Sequence, residues 1–286
     1  MANSTTSTLA GLFTTIQQTA LFTMQEKAFM RPLVRNYNLT SQPGKAAHVG
    51  IYPTLATSVV TSGENSDASA QTITATDKTF TATEVAVMAT LTDLARDSTA
   101  DDSAAAIGRI LGETLARKVD EDIAALFSGF SSSATLTAGT SELTPDDILA
   151  AIATLRSNSV LGPYVGVFHP FQTYNLRKVL ANAGAATVPA LSDVGNEVLR
   201  GGYIGRLFGV DLYESAVVTG ASSGAFIGAV MHADALAFCL KRELTIETQR
   251  DASLRATEIV ASMSYAVGEL FDLHGVKLTT DASITN

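Results

Sequence analysis

The chain has no tryptophan and a single cysteine among its 286 residues. One cysteine, Cys239, excludes an internal disulfide and any zinc or iron–sulfur site built from clustered thiolates. It sits in the apolar run Ala235–Leu240, which marks it as a buried, inert thiol. Charge is sparse too. Asp, Glu, Lys and Arg make up only 16% of the chain, with a net charge of −9 and a pI near 4.9. That acidic balance excludes a protein that coats nucleic acid with its whole surface. Long apolar runs are also missing. Ala225–Leu240 is interrupted by His232 and Asp234 and falls short of the roughly 18 residues a membrane span needs. Residues Met1–Thr6 lack a basic stretch leading into an apolar one, so no secretory signal is expected. The sequence reads as soluble and cytoplasmic, with no membrane partner.

Hydrophobic residues, by contrast, reach 46%, and mean hydropathy is +0.21. Such a chain can bury a sizeable core, and wholesale disorder is excluded. Its low charge leaves little to cover a free monomer's surface, which suggests burial against other chains. Residues 1–45 stand apart: Lys27, Arg31, Arg35 and Lys45 face one acid, Glu26. Within them Leu9, Leu12, Phe13, Ile16, Ala20 and Met24 recur at helical spacing, until Pro32 and Pro43 break the pattern. This reads as an amphipathic arm that needs a partner.

From residue 46 the period shortens. Val49, Ile51 and Leu55 alternate weakly, Thr72–Thr83 is rich in threonine, and Val85, Val87, Ala89 and Leu91 alternate cleanly. Thr61–Ala70 has turn and loop composition. Residues 46–95 are expected to form a long two-stranded hairpin with a mobile polar tip, acidic apart from Lys78. Residues 101–130 carry the strongest helix signal. Ile107, Leu111, Leu115, Val119, Ile123 and Phe127 form the stripe, Ile110 and Leu126 are expected to widen it, and Gly129 closes it. Asp101, Asp102 and Ser103 offer acidic and capping groups at its start. A linker over 131–143 leads to a second helix, capped by Thr144 with Pro145 at its first position. A strand (Val165–Phe168), a helix (Phe171–Ala181) and the glycine-rich segment Gly201–Ser215 follow. Five further strands are expected: Ala225–Met231, Leu236–Leu240, Leu244–Gln249, Ile259–Ala266 and Gly275–Thr280. The irregular mixture points to an α+β fold rather than a doubly wound sheet.

No catalytic constellation emerges. His48, His169, His232 and His274 stand far apart with no metal-ligand spacing, and His169 beside Pro170 reads as structural. No G-x-S-x-G elbow occurs, and Gly44-Lys45 lacks the earlier glycine of a phosphate loop. Gly201, Gly202, Gly205 and Gly209 are not spaced as in a dinucleotide-binding turn and read as tight turns beside a strand. Consecutive Asp120, Glu121 and Asp122 point in different directions on a helix and cannot converge on one ion, so a solvated face or pairs to neighbouring chains is expected. Catalytic, cofactor and metal residues are therefore expected to be none, with no cofactor and no enzymatic activity.

Several strings carry a family likeness. They are Lys27–Val34 followed by Pro43–Pro53, then Thr83–Asp97, Leu115–Ala124, Gly205–Ser215, Tyr265–Gly268 and His274–Asp281. In this order they resemble the N-terminal arm, extended loop, spine helix and closing strands of tailed-bacteriophage major capsid proteins of the Hong Kong 97-type fold. The resemblance implies an arm (1–45), an extended loop (46–95), a peripheral domain with the spine helix (96–135 and 241–265) and an axial domain (136–240 and 266–286). It implies a structural protein forming hexamers and pentamers of an icosahedral virion shell around double-stranded DNA, contacted without sequence specificity. Assembly would take place in the host cytoplasm. No long charged helical segment precedes the arm, so a separate scaffolding protein is expected, beside a portal and a candidate decoration protein. Some relatives cross-link Lys to Asn between subunits. Lys78 lies in the matching loop, but no partner Asn or catalytic acid matches. A cellular nanocompartment shell and an enzyme with a scattered site remain the alternatives.

Overall fold

Leu111, Leu115, Val119, Ile123 and Phe127 recur every fourth residue, so a helix places them on one stripe that must find cover. All five are buried, and they define the centre of the molecule. The structure, a computed structural model, describes residues 16–24, 28–40, 43–52, 72–94, 103–133, 141–182, 203–218, 220 and 224–281. Its helices are α1 (16–24), α2 (Ser103–Ala125), α3 (Pro145–Ser157) and α4 (Pro170–Asn182). Its strands are β1 (Arg35–Asn38), β2 (Ala46–Ile51), β3 (Thr76–Thr81), β4 (Thr83–Thr92), β5 (Tyr164–Phe168) and β6 (Tyr203–Leu207). They continue with β7 (Val210–Glu214), β8 (Ala225–His232), β9 (Leu236–Asp251), β10 (Ala256–Glu269) and β11 (Gly275–Asp281).

The strands form three sheets. A four-stranded sheet runs β1-β9-β10-β4, a five-stranded one β11-β8-β5-β7-β6, and β2 pairs with β3 alone. The spine helix α2 covers the first sheet, with Val85, Val87 and Ala89 of β4 packed into the same core as Ile259, Ala261 and Met263 of β10. Helices α3 and α4 serve the second. Thr144 caps α3 in a reciprocal box with Asp147, and Ile148, Ala151 and Leu155 are buried in the core that holds Val276 and Leu278. Fully buried Gln172 ties α4 to two strands, its Nε2 donating to Phe226 O (2.9 Å) and Thr280 Oγ1 (2.7 Å).

Four expectations need correcting. The hairpin over 46–95 is divided. β2 and β3 pair through Ala46↔Thr81 to Ile51↔Thr76, whereas β4 pairs with β10 from Thr83↔Tyr265 to Thr92↔Ala256. The alternating face of β4 finds cover under α2, burial that a lone hairpin cannot supply. The expected tip, Thr61–Ala70, lies outside the described residues. Second, 236–240 and 244–249 are one strand, β9. A register irregularity between the Ser262 and Tyr265 pairings accommodates charged Lys241, Arg242 and Glu243, which break the apolar pattern. The chain passes between the two large sheets at His232/Leu236 and at Glu269/Gly275.

Third, Ile110 is 61% exposed. The stripe of α2 widens on its other flank, through Gly108, Gly112, Ala116, Asp120 and Ala124, because α1 lies there. Ile16, Ala20 and Met24 of α1 are buried in the central core of the same chain. Fourth, then, this part of the arm finds its partner within its own subunit. Residues 1–15, with Leu9, Leu12 and Phe13, lie outside the described residues.

Candidate assembly surfaces and side-chain clusters

A site for assembly is a surface that the subunit's own fold leaves uncovered. The β2–β3 pair is rooted by Ala47, Phe80 and Ala82, which pack with Ala237, Cys239, Ala266 and Leu270. The Phe80 ring lies so close to Gly268 that an added Cβ there would meet it at 2.4 Å. At the opposite end Tyr52 and Ile73 are 73% and 58% exposed. The pair is anchored at one end and apolar at the other. β4 is a sheet edge whose outward residues Glu84, Ala86, Met88, Thr90 and Thr92 are all exposed. Among the described residues no further strand pairs with its outer side, and an edge of this kind can receive a neighbour's strand.

The arm's positive charge is partly spent inside the subunit. Arg35 Nη1 donates to Asp234 Oδ1 at 2.7 Å, and the Arg31 guanidinium stands 5.1 Å over the Phe238 ring. Backbone nitrogens of Met30 and Phe29 donate to the Asp120 carboxylate, the Met30 bond being 3.2 Å. Asp120 is 4% exposed, and burial pushes its pKa up to about 7 against those two bonds. The sequence predicts a solvated face or pairs to neighbouring chains for it, and the fold instead buries it against the arm. The ladder Gly108, Gly112, Ala116, Asp120, Ala124, small residues every fourth position, was the signal that this flank is buried. Its neighbours are half-buried and pair along the helix: Glu121 with Arg117 (2.8 Å), and Asp122 with Lys118 (2.7 Å), both four residues apart within α2. Asp122 also accepts from the Tyr265 hydroxyl at 2.6 Å.

Cys239 is fully buried, and burial raises its thiol pKa to about 11, so it stays protonated. His169 stacks on Phe226 at 3.7 Å, and its Nδ1 accepts from Phe171 N, with burial holding its pKa below the ordinary value. From Tyr203 on, the glycine-rich segment is the β6–β7 hairpin, whose turn holds Phe208 and Gly209 at φ 52° and 88°. Lys78 stands on β3, opposite Val49 of β2. The fold does bring together one group that sequence spacing hides: His232, Asp234 and His274.

The family model for phage capsid proteins matches residues 76–277, from β3 through the spine helix to β11. The chain belongs to the phage capsid protein family. Solved structures share the fold of this capsid chain. A protein of Mycobacterium phage Che8 is 21% identical with a TM-score of 0.66, over 82% of this chain and 84% of that one. The capsid of Ralstonia phage GP4 is 12% identical with a TM-score of 0.70, over 89% and 88%. The head of Helicobacter pylori bacteriophage KHP40 is 13% identical with a TM-score of 0.67, over 87% and 88%. Comparison with curated protein sequences finds no match. The capsid chain is thus an α+β, Hong Kong 97-type structural shell protein of the virion, and the nanocompartment and enzyme readings are not favoured. Among the described residues no helix is long and apolar enough to cross a membrane.

Proposed function

We propose that copies of this capsid chain, as hexamers and pentamers, close an icosahedral shell around a phage double-stranded DNA genome and act by assembly, not catalysis. The family match across both large sheets and the spine helix carries this reading. The exposed apolar end of the β2–β3 pair and the position of β4 at its sheet's edge among the described strands support it, because each can take a neighbour's surface. In this reading residues 1–45 are the arm and the segment around β2 and β3 is the extended loop. The four-stranded sheet with α2 is the peripheral domain, and the five-stranded sheet with α3 and α4 the axial one. Assembly in the host cytoplasm, a separate scaffolding protein, a portal, a candidate decoration protein and sequence-independent DNA contacts complete the proposal. Negative-stain microscopy of the purified chain is expected to show closed shells or capsomers. A chain that stays monomeric or dimeric by size exclusion would overturn it. Particles from a phage lysate should carry nucleic acid, read as the ratio of absorbance at 260 and 280 nm, whereas protein cargo would favour a nanocompartment.

A further inference from the structure

His232 ends β8, Asp234 follows in the 3-10 turn Ala233–Ala235, and His274 closes the 3-10 turn Asp272–His274 before β11. These two turns are the crossovers between the large sheets, one leading from β8 into β9, the other from β10 to β11. They touch each other, which places the three side chains in one partly buried spot. One ligand atom from each lies within 4.8 Å of the other two. His232 Nδ1 and Asp234 Oδ2 are 3.6 Å apart, and the two imidazole rings stand 6.0 Å apart, nearly perpendicular.

We propose that His232, Asp234 and His274 bind a divalent transition cation of the zinc class, which clips the two crossovers together. Two imidazoles and one carboxylate are donors that Zn²⁺ takes, with a fourth position left for water or a further ligand. In a tetrahedral site with bonds of about 2.1 Å the ligand atoms stand roughly 3.4 Å apart, so separations that reach at most 4.8 Å close by up to about 1.4 Å on binding. Two observations favour a cation. Nδ1 of His274 is buried and has no hydrogen-bond partner, an unmet polar atom at the junction. Asp234 is held from behind, its Oδ1 accepting from Arg35 Nη1 at 2.7 Å while Oδ2 faces His232. His274 is braced by stacking on Phe271 at 4.8 Å. The one competing interaction is the Asp234 N–H, which donates to His232 Nδ1 at 3.2 Å. Ligation through that nitrogen gives up a single long hydrogen bond.

The test uses the full chain, stripped with a chelator and dialysed, then titrated with Zn²⁺ alone by calorimetry and with Co²⁺ alone by visible absorption. One Zn²⁺ per chain is expected, with a rise in the thermal midpoint and a Co²⁺ ligand-field band of low-coordinate type. His232→Ala and His274→Gln should each weaken binding by more than about tenfold, the double variant should abolish it, and Asp234→Asn should weaken it likewise. His48→Ala, outside the group, should bind as wild type. No Zn²⁺ uptake and no Co²⁺ band in the wild type would overturn the site, and that result needs no variant to fold. Equal binding by wild type and the double variant would overturn it too, by locating the metal elsewhere.

Discussion

Leu115 makes no contact with water, and its neighbours Leu111, Val119 and Ile123 are as deeply buried. A carboxylate placed there has no partner, at a cost of several kcal/mol against the roughly 5–15 kcal/mol that holds a domain folded. Leu115→Asp should give insoluble or unfolded chains, while Arg109→Ala, exposed on the same helix, should melt as wild type. A soluble Leu115→Asp chain with an unchanged melt would contradict the central stripe. Asp120 is the natural version of that experiment, tolerated because Met30 and Phe29 donate to it. Its pKa is raised from 3.8 to about 7, so between those values the folded chain binds more protons than the unfolded one. Stability from this group is therefore greatest at low pH and falls as pH rises towards 7, where the buried carboxylate becomes charged. Asp120→Asn keeps an acceptor for Met30 without the charge. The variant should unfold at higher temperature than wild type at pH 8, with the gap narrowing by pH 5. A gap that is constant with pH would mean that Asp120 does not titrate in this range.

Elements were legible where one face of one segment decided them. The stripe of α2, the cap of α3 at Thr144 and the alternation of β4 are local patterns, and each element lies where its residues predict. What β4 pairs with was not legible, since alternation says that a face is buried and is silent on what buries it. The same limit hid the histidine–aspartate group, whose members meet only through two separate crossovers. The seat of α1 was written in the sequence, in Gly108 and Gly112, but as an absence of side chain rather than an apolar residue. That seat makes a sharp prediction. A Cβ at Gly112 would lie 2.5 Å from Ala20 O, and one at Gly108 2.8 Å from Ile16 O, both backbone atoms of α1. In an isolated helix Gly→Ala gains about 1 kcal/mol. Here Gly112→Ala must push α1 away, and overpacking of this kind costs about 1–3 kcal/mol. Chemical denaturation should show a net loss, with faster hydrogen exchange over 16–24. A more stable protein would show that α1 does not rest on the glycines.

At the scale of the whole molecule the decisive segment lies between β2 and β3. A two-stranded sheet is marginal in water, and this one is secured where Ala47, Phe80 and Ala82 enter the subunit's core, with Val49 and Ile51 packed against it. Beyond Ile51↔Thr76 nothing among the described residues covers Tyr52 or Ile73, and in the proposed shell a neighbouring copy would bury them. The anchor and the outer end can be separated by mutation. Phe80 has to stay, because its ring fills the space over Gly268, and its removal would cost about 3–5 kcal/mol. Replacing residues 53–71 by a short Gly/Ser turn leaves β2, β3 and Phe80 in place. The shortened chain should keep a cooperative melt near that of wild type, read by circular dichroism, yet form no closed shells in negative stain. Intact shells from it would remove the segment from assembly altogether. Loss of the melt would instead make 53–71 part of the subunit's own core, and the exposed end of the pair would then need a different partner.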